Sequence, residues 1–336
     1  MAHRVLRIGV LGGGSWGTTV ANLVAARAPT ILWARDAAVA REIAERHSNE
    51  RYLPGARLSK ALRATADIGE AVSNADVLVI GVPSQGMRQT AIEVRRHIRP
   101  WVPVISLAKG FETDTGLRMT QVIGQELPGH PLGVLTGPNL AGEILAGMAA
   151  ASVLAMEDEV IVAELQRLFR GGLFRVYTNT DLTGSELGGA LKNVFAIAAG
   201  MGDGLGAGFN TRSALLTRSI AEMTRLGVAL GGRPETFTGL TGLGDLITTC
   251  TSPLSRNRTV GFELGKGRSL QDIIAGMNQV AEGVKSSGPI YQAAKALGIE
   301  VPIITEVYRV VHEGRSPSSA FRGLLRRGAG SEAEPG

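Results

Sequence analysis

The sequence predicts an α/β chain: an N-terminal, doubly wound sheet of the Rossmann type, followed by an all-α C-terminal domain. Three observations carry this. Short apolar runs alternate with helical patterns through the first half, a glycine-rich motif follows the first apolar run, and past Asn179–Asp181 the helical pattern dominates. At 336 residues the chain is longer than one core readily fills, so two domains are expected. The expected division is 1–179 and 180–327, with the small, polar, glycine-rich tail 328–336 disordered.

The expected strands are Val5–Leu11, Ile31–Ala34, Val77–Val82 and Val104–Leu107, with helical stretches Thr18–Arg27, Ala37–His47 and Ser84–Ile98 between them. Such alternation argues a parallel sheet with helices on both faces. Val134–Leu135, Ala150–Ala155 and Leu173–Tyr177 extend the same sheet. The second half reads as helices at Leu182–Ala199, Ser213–Leu226, Leu270–Ala275, Val284–Leu297 and Ile303–His312, with no internal repeat.

Composition narrows the function. With 44% hydrophobic and 19% charged residues the chain is globular. A net charge of +5 fits either a plain basic surface or an anionic ligand such as a phosphorylated metabolite. Arginines are scattered and aromatics make up only 4%, which argues against nucleic acid as a partner. Cys250 is the one cysteine, so an intramolecular disulfide and cysteine-based zinc sites are ruled out. The five histidines show no ligand spacing, so no metal site is expected. No apolar run approaches the ~20 residues of a membrane span, and the start lacks a signal-peptide core. The expected compartment is a reducing cytoplasm. The 45 glycines follow no Gly-X-Y period and are expected at turns and close backbone approaches.

Gly12, Gly14 and Gly17 fit G-x-G-x-x-G between the first strand and the first helix. In that context the first glycine makes a tight turn, the second lets backbone approach a pyrophosphate, and the third lets the helix pack on the strand. The helix N-terminus then offers free N–H groups to the phosphates. The second strand ends at Leu32-Trp33-Ala34-Arg35-Asp36. Arg35 suits a ribose 2′-phosphate, which favours NADPH over NADH; Asp36 either serves the ribose or N-caps the next helix. Val82-Pro83-Ser84 lies where strand ends form a ligand crevice, or is a plain capped turn.

Six residues are lysine (60, 109, 192, 266, 285, 295) and the other 29 of 35 basic residues are arginine. Lys109 ends an apolar strand, and Lys192 sits in a helical pattern with paired Gly188 and Gly189. Each glycine costs roughly 1 kcal/mol in a helix interior, so a close neighbour, helix or ligand, is expected there. Reduction of a ketone needs a proton donor. Lysine serves if its pKa is lowered, whereas arginine does not release its proton near neutrality. Asp245 is either a cap or the partner of a lysine ammonium. Arg256 with Asn257 offers forked donors for phosphate, or forms a solvated basic loop.

Together these segments resemble the NAD(P)-dependent glycerol-3-phosphate dehydrogenase family. The resemblance is carried in order by Gly12-Gly13-Gly14-Ser15-Trp16-Gly17-Thr18, Leu32-Trp33-Ala34-Arg35, Lys109-Gly110-Phe111-Glu112, Gly137-Pro138, Gly188-Gly189-Ala190-Leu191-Lys192-Asn193 and Asp203-Gly204-Leu205-Gly206. Gly239-Leu240-Thr241-Gly242-Leu243-Gly244-Asp245, Ser255-Arg256-Asn257-Arg258 and Val280-Ala281-Glu282-Gly283 complete it. It implies reversible reduction of dihydroxyacetone phosphate to sn-glycerol 3-phosphate, feeding phospholipid synthesis, with the active site between two domains. It implies Lys192 as general acid/base, Lys109 as a second lysine polarising the carbonyl, and Asn193, Asp245 and Thr249 beside them. Substrate contacts implied are Lys109, Gly137, Asn139, Lys192, Asp245, Ser255, Arg256 and Asn257. Cofactor contacts implied are Gly12, Gly14, Ser15, Trp16, Gly17, Arg35, Lys109, Ala141, Arg256, Val280 and Glu282, for NADPH or NADH. A homodimer is the family-level expectation. One departure stands out: Asn139-Leu140 follows Gly137-Pro138 where the family has Ser or Thr, then Phe. Two rivals share parts of this pattern. A 2-keto or 3-hydroxy acid reductase fits the glycine loop and a lysine but does not call for the Gly-Leu-Gly-Asp and Ser-Arg-Asn-Arg pair. A non-catalytic redox sensor would not need both lysines.

Overall fold

A computed structural model describes residues 5–277 and 281–325. The predicted tail at 328–336 lies outside the described residues. The chain divides into two compact units, Met1–Ala108 with Met119–Leu182, and Lys109–Arg118 with Thr183–Gly336. The segment Lys109–Arg118 thus groups with the second unit, a detour that a linear division at 179/180 does not contain.

The first unit is an eight-stranded sheet in the order β3-β2-β1-β4-β5-β6-β7-β8. Its strands are β1 (Ile8–Leu11), β2 (Thr30–Trp33), β3 (Leu62–Thr65), β4 (Val77–Ile80), β5 (Val104–Ser106), β6 (Leu132–Thr136), β7 (Ala150–Met156) and β8 (Phe174–Asn179). Strands β1 to β6 are parallel; β7 pairs antiparallel to β6, and β8 parallel to β7. Every residue of β1 and β4 is buried, as expected of central parallel strands covered on both faces, which read as continuous apolar runs. The helices are α1 (Ser15–Ala25), α2 (Ala37–Arg46), α3 (Ile68–Val72), α4 (Met87–Val94), α5 (Met119–Glu126), α6 (Ala141–Leu145) and α7 (Glu159–Phe169). Helix α1 packs with α6 and α7, and α4 with α3 and α5. The chain runs outward from β1 through β2 to β3, then returns to β4 on β1's other side. That reversal opens the ligand crevice of this fold at the carboxyl ends of β1 and β4.

Two local differences from the sequence reading have plain causes. Strand β3 was not expected: it lies at the sheet edge with only Leu62 buried, so no alternation marks it. The helix expected over 84–98 is a 3₁₀ turn at Ser84–Gly86 followed by α4, with Gly86 at the junction.

The second unit is helical: α8 (Leu182–Gly204), α9 (Phe209–Ala229), α10 (Pro234–Phe237), α11 (Asp245–Thr251), α12 (Arg256–Gly265), α13 (Leu270–Ala275), α14 (Glu282–Ala296), α15 (Pro302–Glu313) and α16 (Pro317–Leu325). A π-helical turn, Leu240–Gly244, leads directly into α11. Helix α8 is buried over nearly its whole circumference, which explains its uniformly apolar character. Leu191, Val194, Phe195 and Ile197 share its core with Met223, Phe237, Leu246 and Ile304. Among the described residues no helix is long and apolar enough to cross a membrane.

Candidate active site

The glycine loop forms one candidate subsite, within the first unit. Gly12 has φ +122°, in the left-handed region, and a Cβ there would lie 2.6 Å from the Gly81 carbonyl oxygen beyond β4. A Cβ on Gly17 would collide with the Gly12 carbonyl oxygen, so this glycine lets α1 sit against the loop. A Cβ on Gly14 would meet nothing within 4 Å. Gly14 is the N-cap of α1, with no side-chain cap and no acidic residue in the first turn. An open, uncapped helix N-terminus beside a glycine turn fits a dinucleotide pyrophosphate. Asn49, fully buried, braces the loop by donating to the Gly13 carbonyl and to Thr18 Oγ1, each at 2.9 Å. Ser15 and Trp16 open α1, and the Trp16 ring stands edge-on to Phe174.

Beyond β2, Asp36 N-caps α2 by accepting from the Ala38 N–H at 2.9 Å, and its other oxygen pairs with Arg51 at 3.1 Å. Of the two roles left open for Asp36, the structure thus shows the cap. Arg35 is exposed, with no hydrogen bond or ion pair to another described residue. Ser84 is buried and accepts a hydrogen bond from Gln85 Nε2 at 3.1 Å. Gly137 has φ +138°. Asn139 donates to the Ala151 carbonyl at 3.1 Å and accepts from Ser152 at 3.0 Å, so its amide is tied to β7. Ala141 opens α6.

The second unit holds a buried polar cluster built around Asp245. Its two carboxylate oxygens each take one ammonium: Oδ1 accepts from Lys192 and Oδ2 from Lys109, both at 2.6 Å. Thr249, one turn along α11, accepts from Lys192 at 2.5 Å and donates to Asp245 Oδ1 at 3.2 Å. Lys192 is only 6% exposed and Asp245 1%. Burial lowers the Lys192 pKa to about 8; the Asp245 charge opposes that shift and the Lys109 charge adds to it. One carboxylate with two ammonium groups carries a net positive charge. Such a site polarises a carbonyl and holds a lysine near its titration point at neutral pH. Cys250, adjacent to Thr249, is pushed up to about 12 by burial and stays a protonated thiol.

The local sequence builds this cluster. Of the paired glycines of α8, Gly188 has the expected close neighbour: a Cβ there would lie 2.6 Å from the Thr241 carbonyl oxygen of the π turn. That turn brings Asp245 against α8. An amide chain fixes the main chain of Lys109. Gly283 N–H donates to Asn257 Oδ1, Asn257 Nδ2 to Asn193 Oδ1, and Asn193 Nδ2 to the Lys109 carbonyl, at 2.9, 2.9 and 2.8 Å. Ser255 N-caps α12, its Oγ accepting from the Arg258 N–H. Arg256, exposed at the start of that helix, faces the charge of Glu282 at the start of α14. Val280 lies outside the described residues. Among those described, no group of histidine, cysteine and carboxylate side chains could hold a metal ion.

The structure also brings in residues the sequence reading passed over. Asp203 accepts from Arg212 Nε and Arg258 Nε, each at 2.9 Å, tying α8 to α9 and α12. Arg118 pairs with Glu186 of α8 at 2.6 Å. Asp203 and Arg258 lie in the glycine-rich 203–206 and basic 255–258 segments, but the pairing of residues 55 positions apart has no sequence signal.

The chain matches the family model described as NAD-dependent glycerol-3-phosphate dehydrogenase N-terminus over residues 7–162, and its C-terminus counterpart over 181–322. It is 63% identical over 331 residues to the glycerol-3-phosphate dehydrogenase (NAD(P)+) 2 of Sphingopyxis alaskensis, covering 98% of this chain and 99% of the relative. It is 54% identical to the glycerol-3-phosphate dehydrogenase (NAD(P)+) of Mycobacterium avium, covering 97% and 96%. A crystal structure of glycerol-3-phosphate dehydrogenase from Coxiella burnetii superposes with a TM-score of 0.92 at 35% identity, covering 96% of this chain and 99% of that one. The chain belongs to the NAD-dependent glycerol-3-phosphate dehydrogenase family.

Proposed function

We propose that this protein catalyses the reversible reduction of dihydroxyacetone phosphate to sn-glycerol 3-phosphate with NADPH or NADH, in the cytoplasm, supplying glycerophospholipid synthesis. The observation that carries the reading is the buried Asp245 carboxylate shared by Lys109 and Lys192, with Lys192 lowered to about 8. Membership of the family supports the substrate and the cofactor class.

The reduced nicotinamide supplies the hydride. The loop Gly12–Gly17 and the N-terminus of α1 hold the pyrophosphate through backbone N–H groups. Arg256 binds the substrate phosphate, and that binding energy orients the ketone. Lys109 polarises the carbonyl oxygen. Lys192 gives that oxygen its proton as the alkoxide charge develops, becomes a neutral amine, and is reprotonated from solvent. In the oxidative direction neutral Lys192 takes the hydroxyl proton. Asp245 keeps both nitrogens in place, and Thr249 fixes the Lys192 rotamer through its hydroxyl. Asn193 and Asn257 act mainly on the Lys109 main chain, and Asn139 through β7. Two features favour NADPH: Arg35 has no protein partner described, and Asp36 is engaged by the Ala38 N–H and Arg51. A homodimer completes the reading at family level.

The test follows oxidation of NADPH and of NADH by dihydroxyacetone phosphate and by unphosphorylated dihydroxyacetone. Turnover that requires the phosphate, faster with NADPH, is expected. No turnover with either cofactor, in protein that binds them, would overturn the assignment and favour the keto-acid reductase or the silent sensor.

A further inference from the structure

Lys109 sits on neither α8 nor α11 but on the segment Lys109–Arg118, which packs as part of the helical unit. That segment doubles back on itself. Glu112 N–H donates to the Leu117 carbonyl at 3.0 Å, Gly116 N–H donates to the Glu112 carbonyl at 2.9 Å, and Phe111 and Arg118 pair as an antiparallel bridge. Two side chains fasten the hairpin. Phe111 is buried in the helical core beside α8 residues, and Arg118 Nη1 donates to Glu186 Oε2 at 2.6 Å. The Glu186 side chain is 1% exposed and that of Arg118 17%, so the pair is held largely away from water and losing one member would leave a buried charge poorly compensated.

These contacts close a ring that begins and ends on α8. Glu186 holds Arg118, Arg118 faces Phe111 across the bridge, and Phe111 lies two residues from Lys109. The Lys109 ammonium meets Asp245, which holds Lys192, six positions along α8 from Glu186. Among the ties on Lys109 are a hydrogen bond to its carbonyl from Asn193 and the ion pair with Asp245. Its direction of approach is set by the hairpin behind it. We propose that Arg118 and Glu186 are positioning residues that hold Lys109 against Asp245 and the substrate carbonyl through the 109–118 hairpin. This rests on the reading of Lys109 as the group that polarises the carbonyl. A displacement of about 1 Å at a catalytic group costs on the order of a hundredfold in rate, so a remote fastening of this kind has a kinetic signature.

The experiment compares full-length wild type, Arg118→Gln, Arg118→Lys and Phe111→Leu, with Glu222→Gln on α9 as a control that lowers Tm without touching the hairpin. Wild-type turnover of dihydroxyacetone phosphate is the first arm; its absence overturns the functional reading itself. Given that turnover, Arg118→Gln is expected to lose kcat about tenfold or more well below its Tm, with the NADPH Kd within about twofold. Arg118→Lys should recover most of the loss. Glu222→Gln, likewise assayed well below its Tm, should keep kcat. A kcat for Arg118→Gln that falls no further than that of the Glu222→Gln control overturns the proposal. If Arg118→Gln does not fold, Phe111→Leu decides: a reduced kcat with unchanged NADPH Kd supports it, and a wild-type kcat overturns it.

Discussion

Replacing Lys109 with Met should move the pH dependence of catalysis upward. In the reductive direction Lys192 must be protonated, and in the oxidative direction neutral. With Lys192 lowered to about 8, its protonated share falls about tenfold from pH ~7 to pH ~9 and its neutral share rises about tenfold. The two directions therefore respond oppositely to pH. Lys109 contributes to that lowering, because its ammonium binds the other oxygen of the same carboxylate at 2.6 Å. Taking the two nitrogens as about 5 Å apart and an effective dielectric of about 20, their repulsion is about 3 kcal/mol, or about 2 pKa units. Lys109 is partly exposed, so screening reduces this to about one unit. The assay is the pH profile of kcat/KM in both directions for wild type and for Lys109→Met, with the variant enzyme concentration raised to offset its lower rate. Both limbs should shift up by about one unit. An unmoved limb, or one shifted down, would refute the electrostatic reading of the pair. The same titration bears on stability. The folded pKa lies below the unfolded value of 10.5, so between about 8 and 10.5 the unfolded chain binds the extra proton. The Lys192 penalty is therefore complete below about 8 and is relieved as pH rises through that window.

The second and third glycines of the motif should separate by role. Gly17→Ala is expected to lower Tm sharply because its Cβ would strike the Gly12 carbonyl, whereas Gly14→Ala should fold normally and bind NADPH about tenfold more weakly; native NADPH affinity in Gly14→Ala would contradict the pyrophosphate assignment. Glu222 of α9 accepts the Ile303 and Ile304 N–H groups at 3.0 and 2.9 Å, capping α15, whose own N-cap Val301 has no side-chain acceptor. Glu222→Ala should cost about 2–4 kcal/mol in urea unfolding by stranding two donors, and Glu222→Gln about 1 kcal/mol; a loss under about 0.5 kcal/mol for the alanine variant would show that water replaces the cap.

What was legible in the sequence is what physics makes local. The glycine loop needs three small residues at fixed spacing after an apolar run, and nothing distant decides it. Lys192 drew notice because a lysine in an arginine-rich chain and two glycines in a helix are each locally costly. Their reason, the π turn packed on Gly188 and the carboxylate 53 positions away, lies in tertiary contact. Lys109 and Asp245 meet across 136 positions, and only the family resemblance put them together beforehand. Asn257 shows the opposite limit. Its place beside Arg256 suggests a phosphate donor; no local pattern announces its other engagement, the oxygen accepting from Gly283 and one amide hydrogen going to Asn193. Strand β3 and the Arg118–Glu186 pair left no periodic trace, because an edge strand has little to bury and an ion pair across 68 positions has no pattern at all.

Helix α8 explains why catalysis and stability are bound together in this unit. A helix buried all round should carry no charge, since an unpaired buried ion costs several kcal/mol. Yet α8 buries Glu186, Lys192 and Asn193. Each is tolerated because a different element brings its partner: the hairpin supplies Arg118 to Glu186, α11 supplies Asp245 to Lys192, and α12 supplies Asn257 to Asn193. The partners reach α8 only because backbone approaches backbone. A Cβ on Gly265 of α12 would lie 2.6 Å from the Met201 carbonyl oxygen, and one on Gly261 would collide with the Ile197 carbonyl. At that separation Asn257 reaches Asn193 and Arg258 reaches Asp203. The polar contacts that assemble the lysine pair are thus the same contacts that dock three elements onto the core helix. A substitution at any of them disturbs docking and chemistry at once, so kcat read together with Tm is needed to tell the two apart.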